Sequence, residues 1–328
     1  MTSIEPPRAQ RSMRRSGVVC AGEMLYDAFE THLLPGGAPA NVAIALRRLG
    51  IESRFAGCLG TDAKGDALLT TLHDERVDTR SVQRSLLPTR VVEVTRDSTG
   101  DRTFHRFRGA KPNAFADTHF DKALLAADTF DGVAYLVVGS LELAYEKSRE
   151  TMMSLIEKAR GVNIQVVFDI NRRPMFWMPE EAQYEHARAS AVLQHAQIVK
   201  ASGDEARWLF GTDDPAGIIT MHPHLRAIVI TGGAHAITFS IDGTVGTVTP
   251  PPIRVVDTTG AGDAFTAGLI AALLGNGTDE RLVPAAVWDA VRFAAAVGTL
   301  ATTSIGALSA LPLRAKVDEF MREQLLVR

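Results

Sequence analysis

Short apolar runs rich in β-formers recur along the chain from Gly17 to Thr231, and segments with helical spacing separate them. Val18–Cys20, Arg54–Cys58, Ala134–Val138, Ile164–Asp169, Ile198–Lys200 and Ile228–Thr231 read as strands buried on both faces. Between the first two, Val42, Ala45, Leu46 and Leu49 follow the i, i+3, i+4, i+7 spacing of an amphipathic helix, with Pro39 in its first turn and Gly50 as its stop. Consecutive parallel strands need a crossover between them, which is usually a helix. The alternation therefore predicts an α/β fold, a mostly parallel sheet with helices on both faces. No repeat or low-complexity linker divides the chain, so residues 17–328 read as one domain behind a flexible basic tail over 1–16.

Composition closes off several other classes. With 328 residues, 46% of them hydrophobic and 22% charged, the chain has ample apolar surface for a core, and it is too long for a disulfide-stapled scaffold. A net charge of −3 leaves no basic excess to neutralise a nucleic-acid backbone or an anionic membrane surface. No run reaches the ~18 apolar residues a membrane helix needs. The two cysteines, Cys20 and Cys58, sit in apolar runs without metal-ligand spacing and read as buried thiols of a reducing compartment, which favours the cytoplasm. Arg8, Arg11, Arg14 and Arg15 in the first sixteen residues read as a frayed tail rather than a transit peptide.

Two segments interrupt the alternation. Arg90–Arg96 and Arg102–Arg108 flank the turn-forming cluster Asp97-Ser98-Thr99-Gly100 and predict a hairpin that projects from the sheet, with a lid as one use. Ala236–Thr249, with Asp242-Gly243 at its middle, predicts a second hairpin ahead of the chain-turning run Pro250–Pro252.

The strongest motif is Asp257-Thr258-Thr259-Gly260-Ala261-Gly262-Asp263, which runs into the apolar helical pattern Phe265, Leu269, Ala272, Leu273. Unpaired N–H groups and the positive dipole end at a helix start make an anion site, and small residues let a phosphate approach the backbone. Asp263 would repel that phosphate, so it reads either as a base acting on the attacking group or as a helix-start charge. The second motif, Gly36-Gly37-Ala38-Pro39-Ala40-Asn41, permits close backbone approach to a ligand, and Asn41 offers a donor and an acceptor suited to sugar hydroxyls; a plain strand-to-helix turn reads equally from these residues. Gly60–Asp66 lacks the Lys-Ser/Thr ending of a P-loop, and no GxGxxG follows the first strand.

Together, in this order and spacing, the two glycine motifs resemble the signatures of the ribokinase-like (PfkB) family of carbohydrate kinases. The resemblance spans about Gly17 to Pro312 and includes Gly22-Glu23-Met24-Leu25-Tyr26-Asp27, Asp101-Arg102-Thr103-Phe104, the run Gly139–Tyr145 and Asp169-x-Asn171-x-Arg173-x-x-Phe176-Trp177. It is closest in look to bacterial and plant fructokinases. It implies a ribokinase-like three-layer sandwich with a small β lid, lid segments near 28–35 and 90–108, and phosphorylation of the 6-hydroxyl of fructose by ATP. Family kinases of 2-keto-3-deoxygluconate, ribose or nucleosides, and a catalytically silent sugar-binding regulator, are the alternatives.

Carried over by position, the resemblance implies that Asp263 is the general base and that the Gly260, Ala261 and Gly262 amides form the anion hole, with Arg173 reaching the transferred phosphoryl group. Asp27, Gly36, Gly37, Asn41 and Arg108 would contact sugar hydroxyls, with Glu142 a further candidate that could instead cap the following helix. ATP would lie near Ser202, Glu205, Thr231, Gly233 and the Gly260–Gly262 loop. Magnesium would bridge phosphates through water ordered by Glu205, and Asp257 and Thr259 match the positions of a potassium-type cation site. Two departures stand out: Ser202 replaces the asparagine of the family's Asn-x-x-Glu, and only eight residues separate Asp27 from Gly36. That short link predicts a small lid, which leaves a homodimer through lid strands in doubt.

Overall fold

Each of the six buried runs becomes a strand of one nine-stranded sheet. In a computed structural model that describes residues 15–29, 32–96, 102–109, 111–277 and 281–326, the strands are β1 (Gly17–Ala21), β2 (Leu25–Ala28), β3 (Leu33–Gly36), β4 (Ser53–Gly60), β5 (Asp78–Ser85), β6 (Val91–Arg96), β7 (Arg102–Phe107), β8 (Val133–Val138), β9 (Gln165–Asp169), β10 (Ile198–Ser202), β11 (Ala227–Thr231), β12 (Ile237–Ile241) and β13 (Thr244–Val248). The helices are α1 (Ala38–Arg48), α2 (Ala63–Asp74), α3 (Glu146–Gly161), α4 (Glu185–Leu193), α5 (Gly203–Phe210), α6 (Pro215–Met221), α7 (Ala261–Asn276), α8 (Pro284–Leu300) and α9 (Arg314–Leu326). The basic tail through residue 14, Glu30 of the first lid segment and the turn at 97–100 lie outside the described residues.

The large sheet runs β13-β12-β11-β10-β9-β8-β1-β4-β5 and is parallel except for the hairpin β12–β13 at one edge. Neighbouring residues of β1 show why its run is apolar throughout: Val18 and Cys20 join one core, Val19 and Ala21 the other. The first core is closed by α1, α7 and α8, the second by α3, α4 and α5. Strand order reverses between β1 and β8, and in open parallel sheets such a switch opens a crevice at the carboxyl ends of the strands. No helix of the described residues is long and apolar enough to cross a membrane.

Sequence periodicity missed β2, β3 and β5, and edge position explains the last two. β5 reads DTRSVQRS, but it is an edge strand, where one side faces solvent and polar residues are tolerated. The short link before Gly36 forms part of the small sheet, where the lid segment near 28–35 was expected. β2 and β3 pair antiparallel across it, Asp27 opposite Leu34, with the Phe29 amide donating to the His32 carbonyl at 2.9 Å. Pro35 hid β3, yet β3 is the edge of the small sheet β3-β2-β6-β7, where a missing N–H costs no ladder bond.

That small sheet is anchored by one arginine. Arg90 precedes β6, and its side chain is 0% exposed. Its Nε and Nη2 donate to Asp117 at 2.6 and 2.9 Å. The guanidinium lies 5.0 Å from the ring centre of Phe107 on β7, and 4.6, 5.2 and 5.1 Å from those of Phe115, Tyr145 and Phe176 in the body of the protein. Lid and body thus share one buried cation. Removing one partner of a buried ion pair strands the other charge, at ~3–5 kcal/mol. Arg90→Met is accordingly expected to lower unfolding stability by about that amount in urea titrations, and a loss below ~1 kcal/mol would show that the aromatic cage alone holds the lid.

Candidate active site

Two helix N-termini converge at the carboxyl edge of the sheet. α1 starts after Gly37, whose φ of 107° and close approach (a Cβ there would stand 2.6 Å from the Glu23 carbonyl oxygen) exclude a side chain. With no capping side chain at Gly37, the first free amide of the helix, Ala38 N–H, donates to Glu23 Oε1 at 2.9 Å. α7 starts at Gly260, with φ 78° and Ala307 packed 3.0 Å from the position of its missing Cβ. The two are joined by one hydrogen bond: Asn41 Nδ2 donates to Asp263 Oδ2 at 2.7 Å, between residues 222 positions apart, both buried. The other polar atom of the amide, Asn41 Oδ1, is buried without a hydrogen-bond partner among the described residues.

One of the three amides expected in the anion hole already has a partner. Ala261 N–H is engaged, donating to the Thr258 carbonyl at 3.2 Å, because the chain tightens into a turn as it enters α7. The amides left without a partner among the described residues are those of Gly260, Gly262 and Asp263. The approach to this turn is held by Asp257, which is fully buried and accepts from the Thr259 and Gly306 amides at 3.0 and 2.7 Å. Thr259 Oγ1 is buried with no hydrogen-bond partner among the described residues, and an orphaned neutral oxygen beside a buried carboxylate suits a monovalent cation.

Beneath the turn lies a charge pair that motif reading passed over. Lys200 on β10 stands directly opposite Asp169 on β9, and its Nζ donates to Asp169 Oδ1 at 3.1 Å. Asp169 Oδ2 accepts the Thr266 hydroxyl of α7 at 2.8 Å. A Cβ at Gly262 would lie 2.9 Å from Lys200 Nζ. Burial works against the ammonium, but Asp169, Glu205 and Asp263 hold it above its ordinary pKa and therefore charged. A lysine inside an apolar strand was the sequence signal that could have found it.

On the nucleotide side, Ser202, Thr231 and Gly233 line a cleft of about 630 Å³ together with Arg207, His235 and Thr238. Ser202 and Glu205 form a capping box at the start of α5, so the serine keeps the capping role of the expected asparagine. Glu205 is buried; its two oxygens accept the Arg172 and Ser202 amides at 2.6 and 2.7 Å, which fixes the carboxylate between the loop after β9 and the start of α5. Arg173 sits in the loop after β9, half-buried, and donates to the Arg172 carbonyl at 3.0 Å.

On the lid side, Asp27 is buried, and a Cβ at Gly36 would stand 3.1 Å from its Oδ2. Glu142 is 1% exposed, with both oxygens lacking a hydrogen-bond partner among the described residues. It does not cap α3, which starts after Tyr145 without a side-chain cap. Burial, then Asp117 and Glu23, push its carboxyl well above the carboxylate range. Arg108 is half exposed and pairs with Glu93 on the lid, Nε to Oε1 at 3.3 Å, so the structure does not gather it with the buried residues.

A small sheet beside the carboxyl edge of a parallel sheet, with a buried acid at a helix N-terminus, is the layout of an α/β enzyme site. The pfkB family carbohydrate kinase profile matches residues 12–314, and the chain belongs to that family. It is 35% identical over 287 residues to the fructokinase of Klebsiella pneumoniae, covering 85% of this chain and 89% of that protein. Among solved structures, it superposes on the ATP-bound fructokinase of Xylella fastidiosa with TM-score 0.86 at 29% identity, covering 94% of this chain and 99% of that one. It also matches the Vibrio cholerae fructokinase bound to fructose, ADP and calcium, with TM-score 0.81 at 31% identity over 93% and 99% of the two chains.

Glu23 supplies a test of these electrostatics. Burial raises its carboxyl to about 7, with backbone hydrogen bonds opposing and Asp117 and Asp263 adding. The folded state then binds this proton more tightly than the unfolded chain, so the associated stability is full below the ordinary value of 4.5 and is lost as pH rises through about 7. The loss amounts to roughly 3 kcal/mol. Glu23→Gln is expected to lose correspondingly less stability than wild type between pH 5 and 8 in denaturant titrations at stepped pH; parallel curves would assign Glu23 an ordinary pKa.

Proposed function

We propose that this chain transfers the γ-phosphoryl group of ATP to the 6-hydroxyl of fructose. The observation that carries this reading is the Asn41–Asp263 hydrogen bond, which brings a sugar-type amide and the acid of the anion turn to one point. Asp263 accepts the proton of the attacking hydroxyl as its oxygen bonds to phosphorus and ADP leaves. The free amides of Gly260, Gly262 and Asp263 hold the transferred group, with Ala261 shaping the turn and Arg173 approaching from the loop after β9. Asp27, Gly36, Gly37, Asn41 and Glu142 surround the sugar, and Arg108 reaches it by leaving Glu93. Fructose-, ADP- and calcium-bound Vibrio cholerae fructokinase supports the substrate pair.

ATP occupies the cleft lined by Ser202, Thr231 and Gly233. A divalent ion bound with ATP would neutralise phosphate charge, and Glu205 would order the water around it. Thr259 and Asp257 fit a monovalent cation beside the anion turn.

Fructose is expected to give the highest kcat/KM in a coupled ADP-release assay across hexoses, pentoses and nucleosides, and a riboside ahead of fructose would overturn the assignment. Asp263→Asn keeps size and the Asn41 contact but removes the base, so kcat is expected to fall about 10²–10⁴-fold with ATP affinity retained. Retained turnover would return Asp263 to a helix-start charge. Arg108→Ala is expected to raise the KM for sugar while leaving ATP binding alone, and unchanged sugar kinetics would remove Arg108 from the site.

A further inference from the structure

The Lys200–Asp169 pair is costly where it stands. A cation at a helix N-terminus opposes the helix dipole, and replacing a buried ion pair by apolar side chains is often neutral or stabilising. The neighbours on the same face, Ile198 of β10 and Val167 of β9, show that apolar residues fit this layer. The ammonium nevertheless lies against the anion turn itself, with room only because residue 262 has no side chain. Asp169 holds it on one oxygen and the first turns of α7, through Thr266, on the other.

We infer that Lys200 is a positioning residue for phosphoryl transfer: braced by Asp169, it fixes the Gly260–Asp263 turn against the sheet edge and sets a permanent positive charge beneath the amides that hold the transferred group. The inference rests on the transfer proposed above. A charge placed this way acts most when the phosphoryl group carries its charge on three equatorial oxygens, between donor and acceptor, and less on either bound ground state.

The test separates kcat from binding. Lys200→Met is expected to lower kcat about 10²-fold with the KM values for sugar and ATP within threefold of wild type. Wild type should bind ADP far more tightly when aluminium fluoride and sugar are added together, as a mimic of the group in flight. Lys200→Met should bind ADP alone normally and lose that tightening. If Lys200→Met folds poorly because Asp169 is stranded, the double variant Lys200→Met/Asp169→Asn removes both charges; it should regain the wild-type melting temperature without regaining the tightening. A lysine that only supports the fold predicts that the double variant recovers both, and that result, or full tightening in Lys200→Met, overturns the inference. A wild-type protein that phosphorylates no sugar overturns the proposed transfer itself.

Discussion

The hydrogen bond from Asn41 to Asp263 closes a loop of 222 residues, and the rest of the site depends on the constraint it expresses. Two helices must point their N-termini at one spot. That is possible because α1 follows the strands on one side of the switch between β1 and β8, while α7 arrives after the chain has completed the other side, and both pack on the same face of the sheet. Each helix begins at a glycine with positive φ and no side-chain cap, so amides that a serine or aspartate cap would consume stay available. One set is answered by Glu23; the other faces the crevice. Convergence of two positive dipole ends also explains how an aspartate can lie buried there.

Around that spot the fold carries several charged groups that a folding argument alone would remove. Arg90 and Asp117 are paired under the lid, Lys200 and Asp169 under the anion turn, and Glu23 and Glu142 lie between them, nearly fully buried. In each pair both carboxylate oxygens accept, those of Asp117 from two nitrogens of Arg90 and those of Asp169 from Lys200 and Thr266, which helps keep a buried charge tolerable. Glu142 breaks the pattern: its two carboxyl oxygens have no hydrogen-bond partner among the described residues, and burial, then the neighbouring acids, disfavour its ionisation. A neutral carboxyl group both donates and accepts, which matches the hydroxyls of a sugar better than a carboxylate does.

How much of this was legible follows from what each residue's signal depends on. Strands buried on both faces, such as Ala134–Val138, announce themselves by composition, and α1 by its period, because burial itself sets those patterns. β5 and β3 were silent because edge position relaxes the rule that burial imposes. The glycine motifs were legible because a missing side chain at Gly37 or Gly260 answers a local backbone need. Which amide in the Asp257–Asp263 motif is spent was not legible, since the bond from Ala261 to Thr258 depends on how tightly the turn winds. Arg90 and Lys200 were passed over because a charge reads as exposed until its partner, here Asp117 or Asp169, is brought from a distant segment.

The lid shows the same division between fixed and adjustable charge. At its base, Arg90 is fully buried and surrounded by rings from both sheet and body, so moving it would strand Asp117 and open the aromatic contacts. Beside it, at the same end of the β6–β7 hairpin, where the Arg108 amide donates to the Val91 carbonyl at 2.9 Å, the Arg108 side chain meets Glu93 at 3.3 Å with half of it in solvent. Exposed ion pairs of that kind contribute about 0–1 kcal/mol, comparable to the net worth of a single hydrogen bond. Breaking the Arg108–Glu93 pair therefore costs little, whereas disruption at Arg90 does not. Both arginines flank the same end of the hairpin, so breaking the Arg108–Glu93 pair frees one side chain while the buried contact at Arg90 keeps the sheet attached to the body.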